Sequence, residues 1–266
     1  MRIATWNLLH ATPILGAGQE ADLVAQARLI RADIIGVQEV DRAQPRSNHV
    51  HQLQDIAQGL ELPYWVFAPA VHGTPGEAWE PADDSSVHHH HTDSDADLPH
   101  YGNGLASRYP ISEVEILRFN AAALSLPLMV PSDRGWQMLK VADEPRVAII
   151  ARVETPRGPM TIATTHLSFV PGFNVKQLRV ITKVMEKRML PSLLLGDFNL
   201  IGKLPSRLTR WQSLAQLATY PVVNPKIQFD HLLSHGLDSE TVRRAKLGAQ
   251  RMALSISDHC ALITQI

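Results

Sequence analysis

"LLLGDFNL", residues 193–200, runs three leucines into a glycine, an aspartate and, two places on, an asparagine. Leu193, Leu194 and Leu195 read as a short strand covered on both faces, which is the signature of a strand inside a layered α/β sheet. Gly196 lets the backbone break sharply where the polar pair begins. Ligands of open α/β sheets bind in the crevice beyond the strand ends, so Asp197 and Asn199 become candidates for chemistry. The same octapeptide also reads as a plain strand-to-turn junction, because Asp and Asn both favour turns.

Working outward, strand-like and helix-like stretches alternate on both sides. "RIATWNL" (2–8) predicts a strand, "QEADLVAQARLIRA" (19–32) an amphipathic helix, and "DIIGVQEV" (33–40) a buried strand. "HQLQDIAQGLEL" places Leu53, Ile56, Ala57 and Leu60 on one helical stripe, and "YWVFAPAV" follows as a strand. The second half repeats the rhythm: "RVAIIARVET" and "PMTIATTHL" form a hairpin over "PRG", then come the helix "NVKQLRVITKVMEKR" and "SLLLGDFN". "FDHLL" and "HCALITQI" close the chain as two short strands. The two halves look like one plan used twice, within a single domain spanning 1–266.

Residues 72–100, "HGTPGEAWEPADDSSVHHHHTDSDADLPH", lack an apolar period and predict a long surface loop. The tract His88 to His91 is read as solvated in preference to metal-binding, because four consecutive histidines define no coordination geometry. Acidic residues crowd the same loop, among them Asp93, Asp95 and Asp97.

Composition narrows the function classes. The 266 residues are 45% hydrophobic and 19% charged, enough for a sizeable core, and no apolar stretch is long enough to cross a bilayer. The N-terminal residues resemble no signal peptide, so a cytoplasmic enzyme is the default expectation. Cys260 is the single cysteine, which excludes an intramolecular disulfide and a cysteine-rich zinc site. Net charge is −1, yet residues 1–145 hold 9 Lys+Arg against 19 Asp+Glu while residues 146–266 hold 16 against 7. Such asymmetry marks a polyanion surface, an attraction between halves, or nothing, since halves of a sequence are not faces of a molecule.

Five short pieces put polar residues at the ends of predicted buried strands: "TWNLL" with Asn7, "GVQEV" with Glu39, "TTHLS" with His166, "GDFNL" with Asp197 and Asn199, and "ISDHCAL" with Asp258 and His259. A carboxylate ending an oily strand needs a partner, and the oxygen donors Asn7, Glu39 and Asp258 suit Mg²⁺ or Mn²⁺ better than zinc. Asp230, in "QFDHLLS", is another strand-end carboxylate able to hold a histidine in one tautomer. His231 next to it faces the other way, as adjacent strand residues do.

"TWN", "QE", "YGNGLAS", "THL", "GDFN", the Asp of "FDHLLS" and the closing "SDH" occur in the order and rough spacing of the endonuclease/exonuclease/phosphatase superfamily, which the chain resembles from Asn7 to His259. The resemblance implies a four-layer α/β sandwich, with two central mixed β-sheets flanked by helices and one active site at the sheet edges. It implies Asn7 and Glu39 as metal-site groups with Asp258 near the same ion, Mg²⁺ or Mn²⁺. Asp197 and Asn199 would orient or deprotonate the attacking water, and His259, steadied by Asp230, would contact the phosphate and share in proton transfer. His166 matches a second histidine supporting the scissile phosphate or leaving group, and Tyr101 matches a site tyrosine. Arg146 begins a buried strand where it would touch phosphate; an exposed strand-start arginine is the alternative.

The expected function is therefore divalent-metal-dependent hydrolysis of a phosphodiester or phosphomonoester. Aromatics are few and the connections after "GDFN" are short, which favours a compact small-molecule or lipid-derived ester as partner over nucleic acid. A DNA or RNA nuclease is the alternative, and a non-catalytic phosphate-binding module the second. The basic stripe of Lys176, Arg179, Lys183 and Lys187 reads as a solvated helix face, and no partner protein is evident.

Overall fold

The computed structural model describes residues 1–14, 22–90, 98–132, 135–188 and 191–266. The start of the expected 19–32 helix, His91 and the acidic residues Asp93, Asp95 and Asp97 lie outside them. The first half of the chain forms β1 (Arg2–Asn7), β2 (Ile34–Arg42), β3 (Tyr64–Gly73), β4 (Trp79–Pro81), β5 (His88–His89), β6 (His100–Ser107) and β7 (Ile111–Phe119). The hairpin strands β8 (Ser125–Ser132) and β9 (Gly135–Ala142) follow. Then come β10 (Arg146–Thr155), β11 (Gly158–His166), β12 (Ser192–Asp197), β13 (Gln212–Ser213), β14 (Asp230–His235), β15 (Gln250–Met252) and β16 (Ala261–Gln265). Helices are α1 (Leu23–Ile30), α2 (Gln52–Leu60), α3 (Phe173–Met185), α4 (Leu204–Thr209) and α5 (Ser239–Leu247).

Two mixed sheets result. One runs β15-β16-β1-β2-β6-β3-β4 with β5 added to β3, the other β13-β14-β12-β11-β10-β7. Each has one parallel pair, β1 with β2 and β11 with β12, joined through α1 and α3, and antiparallel neighbours elsewhere. This is the doubled plan read from the sequence.

Three cores fill the layers. Ile3, Ile34, Leu105, Ile149, Leu195 and Leu232 pack between the sheets. Trp6, Ile30, Ile35, Leu53 and Ile56 pack the first sheet on α1 and α2, and Ile150, Leu178, Ile181, Leu194 and Phe198 pack the second on α3. Leu193 and Leu195 point to the inter-sheet core and Leu194 to the helix side, which is why the leucine run has no polar alternation. The four layers are helix, sheet, sheet, helix.

The segment 72–100 departs from the loop reading. β4 and β5 both pair with β3, and β6 begins at His100. His88 is buried, stacked on Phe67 and edge-on to His51 and His100. Arg118 pins the strap, donating to Asp84 at 2.8 Å and to the carbonyl of Pro69 at 2.7 Å. Histidine has no hydropathy period, so an imidazole that packs like an aromatic ring is invisible to pattern reading.

Candidate active site

β12 ends at Asp197, next to His166 at the end of the parallel β11 and opposite Asp230 on β14. The register alone thus sets three of the expected site residues side by side. Gly196 makes this possible: a Cβ there would sit 1.9 Å from the Thr165 carbonyl oxygen, with φ at +148°. β1 brings in Asn7, and a bulge in β2 brings in Glu39. Val37 pairs with Gly104 and Val40 with Gly102, and the irregular stretch between them holds Glu39 at φ +57°. The bulge turns one carboxylate of an otherwise buried strand toward the cleft.

Asp197 stands at the centre. Its Oδ2 accepts from Asn7 Nδ2 at 3.0 Å and lies 3.7 Å from His166 Nε2 and 3.8 Å from His259 Nε2. Asp197 Oδ1 accepts from the Asn199 backbone N–H at 2.9 Å. The Asn199 side chain donates to the Leu167 carbonyl at 2.9 Å and meets His166 Nε2 at 3.1 Å, which makes Nε2 the acceptor and puts the ring proton on Nδ1. That Nδ1 lies 3.8 Å from Glu39 Oε1.

The environment shifts the two histidines in opposite directions. Burial and then the neighbouring Arg146 push His166 down to about 3, so it is neutral. Burial also works against charge on His259, but Asp230, Asp197 and Asp258 outweigh it and raise its pKa well above the ordinary value. Its Nδ1 donates to Asp230 Oδ2 at 2.8 Å. His231 points away, stacking on Phe198 and bonding the Leu200 carbonyl at 2.7 Å.

The fit to a hard cation is carried by the carboxylates: Glu39 Oε1 and Asp197 Oδ2 converge on the Asn7 side-chain amide at 2.9 and 3.0 Å, while Asn7 Oδ1 accepts from the Leu9 N–H at 3.1 Å and would face a cation there only with the amide turned over. An uncharged amide thus bridges two buried or half-buried carboxylates, which leaves their charge unneutralised. Asp258 adds a third carboxylate to the same cleft, its pKa raised to about 6 by burial and by Glu39 and Asp197, with His259 opposing. Oxygen donors in this number suit Mg²⁺ or Mn²⁺. Asp197, Asp230 and His259 also offer donor atoms within 4.8 Å of one another, but Asp230 is already hydrogen-bonded to His259 Nδ1, which leaves that pair less free to take a cation.

Tyr101 and Arg146 line the same cleft, an open cavity of about 420 Å³. Arg146 is buried and bonds Asp143 at 3.3 Å, while its Nε has no hydrogen-bond partner. The exposed-arginine alternative does not hold. Arg46 lies 5.4 Å over the Tyr101 ring and takes Asp41 with both ends of its guanidinium, at 2.8 and 2.7 Å. Sequence reading missed Glu144, Phe169, Tyr220 and Phe229, which share the cleft. Phe169 stands three residues after His166 and Phe229 directly before Asp230; apolar residues at such junctions look like core. Lys176, Arg179, Lys183, Arg207 and Arg210 do not line the cleft.

Comparison with known proteins places this geometry. Among curated protein sequences none matches significantly. Solved structures that match include an endonuclease/exonuclease/phosphatase from Beutenbergia cavernae, 17% identical over 99% of this chain and 70% of that one, TM-score 0.57. A mannosyl-6-phosphatase from Bacteroides thetaiotaomicron is 16% identical over 100% and 98%, TM-score 0.59. The human Nocturnin catalytic domain with bound sulfate is 17% identical over 99% and 93%, TM-score 0.54. At these identities the likeness is one of fold. The family model for the endonuclease/exonuclease/phosphatase family matches residues 4–259, and the chain belongs to that family.

Proposed function

We propose that the protein is a divalent-metal-dependent phosphoesterase that hydrolyses a compact phosphodiester or phosphomonoester with an activated water. The carrying observation is the single Asp197 oxygen set between Asn7, His166 and His259. Asn7, Glu39 and Asp258 would hold Mg²⁺ or Mn²⁺, which when bound supplies charge neutralisation at the phosphoryl group.

The remaining work falls to side chains. Asp197, fixed by Asn7 and the Asn199 amide, orients the water and accepts its proton. The water oxygen forms the new P–O bond as the alcohol oxygen departs with the bonding electrons and takes up a proton. His259, held protonated by Asp230, contacts the phosphoryl oxygens and shares that proton transfer. Neutral His166 and the Arg146 guanidinium meet the charge that grows on the phosphoryl oxygens. Membership of a hydrolytic family and the coherence of the set support this over a non-catalytic binding module.

The test is turnover of a panel of phosphomonoesters and phosphodiesters after chelation, and again with Mg²⁺ or Mn²⁺ restored. Activity is expected to vanish and return, and Glu39→Gln to raise the metal concentration needed. Undiminished turnover in excess chelator would overturn the metal-dependent reading.

A further inference from the structure

Leu9, Val141, Phe169, Tyr220, Ile227 and Phe229 all face the cleft. Each is half-buried, and none belongs to the three cores described above. Apolar side chains that pack in no core, beside buried carboxylates and imidazoles, form the wall of a binding site.

Its aromatic part is contiguous with His259. The Tyr220 ring lies 4.9 Å from the His259 ring and 5.6 Å from Phe229, and Phe229 lies 6.4 Å from His259. These are separations at which rings attract one another in tilted arrangements. The backbone holds the wall in place. Cys260 N–H bonds the Thr219 carbonyl at 2.8 Å, Val222 N–H the Asp258 carbonyl at 2.7 Å, and Phe198 N–H the Phe229 carbonyl at 2.9 Å. The wall is thus tied to the segments that carry Asp258, His259 and Asp197.

Charge sets the second limit. Among the described residues that line the cleft, Arg146 is the one lysine or arginine, and Asp143 takes one of its donors. Glu39, Glu144, Asp197 and Asp258 line the same space. One phosphoryl group finds Arg146 and the cation that Glu39 and Asp258 would hold; a second phosphate would find no further lysine or arginine among the described residues lining the cleft.

We infer that the cleft takes an ester carrying one phosphoryl group whose alcohol bears a flat, weakly polar ring, stacked on Tyr220 and Phe229. This rests on the phosphoesterase reading and names its substrate class. An arylalkyl alcohol and a nucleoside share that chemistry.

The experiment compares benzyl phosphate and adenosine 5′-monophosphate with butyl phosphate and glycerol phosphate, and the matching methyl diesters, with Mg²⁺ or Mn²⁺ present. Benzyl and butyl alcohols are similar leaving groups, so a difference between them reports binding. Calorimetric titration with benzylphosphonate and butylphosphonate reads binding without turnover. The ring-bearing member of each pair is expected to be favoured about tenfold in kcat/KM and in affinity, the scale of one aromatic contact with its buried area. Tyr220→Ala and Phe229→Ala should each collapse that ratio through KM, and Tyr220→Phe should retain it. The preferred ring, benzyl or adenosine, distinguishes the two sources. Turnover with no ring preference, or a preference that survives both alanine variants, overturns this inference and leaves the phosphoesterase reading standing. Ring-selective phosphonate binding without turnover of any ester overturns the phosphoesterase reading instead.

Discussion

Asp197 lies on a line running from the fully buried Asp230 through His259 to Asn7, and each member fixes the next by a hydrogen bond or a short charge contact. Removing one member leaves the others buried and mismatched. Asp197→Asn and His259→Ala are each expected to lower kcat by about 10²-fold or more, the usual scale for a positioned acid, base or electrostatic group. Steady-state kinetics on variants shown to be folded by circular dichroism is the check, and near-normal kcat in either would displace that residue from the mechanism. Gly196 answers a separate question, how a buried strand can end on a carboxylate. With a hypothetical Cβ 1.9 Å from the Thr165 carbonyl, Gly196→Ala must push the two parallel strands apart. Overpacking of this kind costs about 1–3 kcal/mol, so a denaturant midpoint unchanged from wild type would contradict the close approach. The polar members of the site were legible in the sequence because a polar group ending an oily strand stands out against its surroundings. Tyr220 and Phe229 were not, because an apolar side chain facing a cleft carries the same pattern as one facing a core.

The strap of β4 and β5 is held on β3 partly by a row of imidazoles. His51 and His88 are 6.3 Å apart between ring centres, His88 and His100 5.7 Å, and His72 and His100 4.7 Å, with Arg42 3.3 Å from His100 Nδ1. Burial, then Arg42, lowers His51 to about 3 and His88 to about 4; burial, then His72 and Arg42, lowers His100 to about 4. These groups fold neutral, whereas unfolded they take up protons near 6.5. Their contribution is therefore complete above about pH 6.5 and drains away as the pH falls toward 4. Between pH 7 and 5 the Tm should drop by about 5 °C more in wild type than in His88→Phe, which keeps a ring and removes one titration. The groups lining the cleft titrate in both proteins and cancel in that difference; equal drops would sink the idea. The same strap marks where sequence reading of elements ran out. The strands that form the parallel pairs, though not their pairing, and the β10–β11 hairpin were legible from apolar runs punctuated by glycine and proline. β5 was hidden in a histidine tract, and β7 to β9 were passed over in a stretch where no polar motif drew attention. The bulge at Glu39 had no signal at all, since no residue type announces an irregular register.

At the scale of the whole molecule, the opposite charges of the two sequence halves do not divide the cleft into an acidic and a basic wall. Glu39 and Glu144 come from the first half, Asp197 and Asp258 from the second, and all four line the same space as Arg146. The lysines and arginines of α3 and α4 lie elsewhere: Lys176, Arg179 and Lys183 border a separate surface depression with Val175 and Val180. A duplex or single strand needs cations spaced along its path, because affinity for a polyanion comes chiefly from neutralised phosphates and released counterions. Here a chain threaded through the cleft would pass four carboxylates, two of which the proposed cation would engage, and one arginine. Cleavage of plasmid, single-stranded DNA and RNA is accordingly expected to be slow beside that of small esters. For the preferred small ester, log(kcat/KM) should change little with log salt between low and physiological ionic strength. A nuclease tracking several phosphates would instead lose about 0.9 log units per log unit of salt for each phosphate neutralised on a duplex. The decisive comparison runs nucleic acids and small esters in parallel at two salt concentrations, with Lys176→Glu/Arg179→Glu as a second arm. Efficient, salt-steep nucleic-acid cleavage abolished by the α3 charge reversal would mean that the polyanion approaches over that helix, and would replace the compact ester with a nucleic acid as substrate.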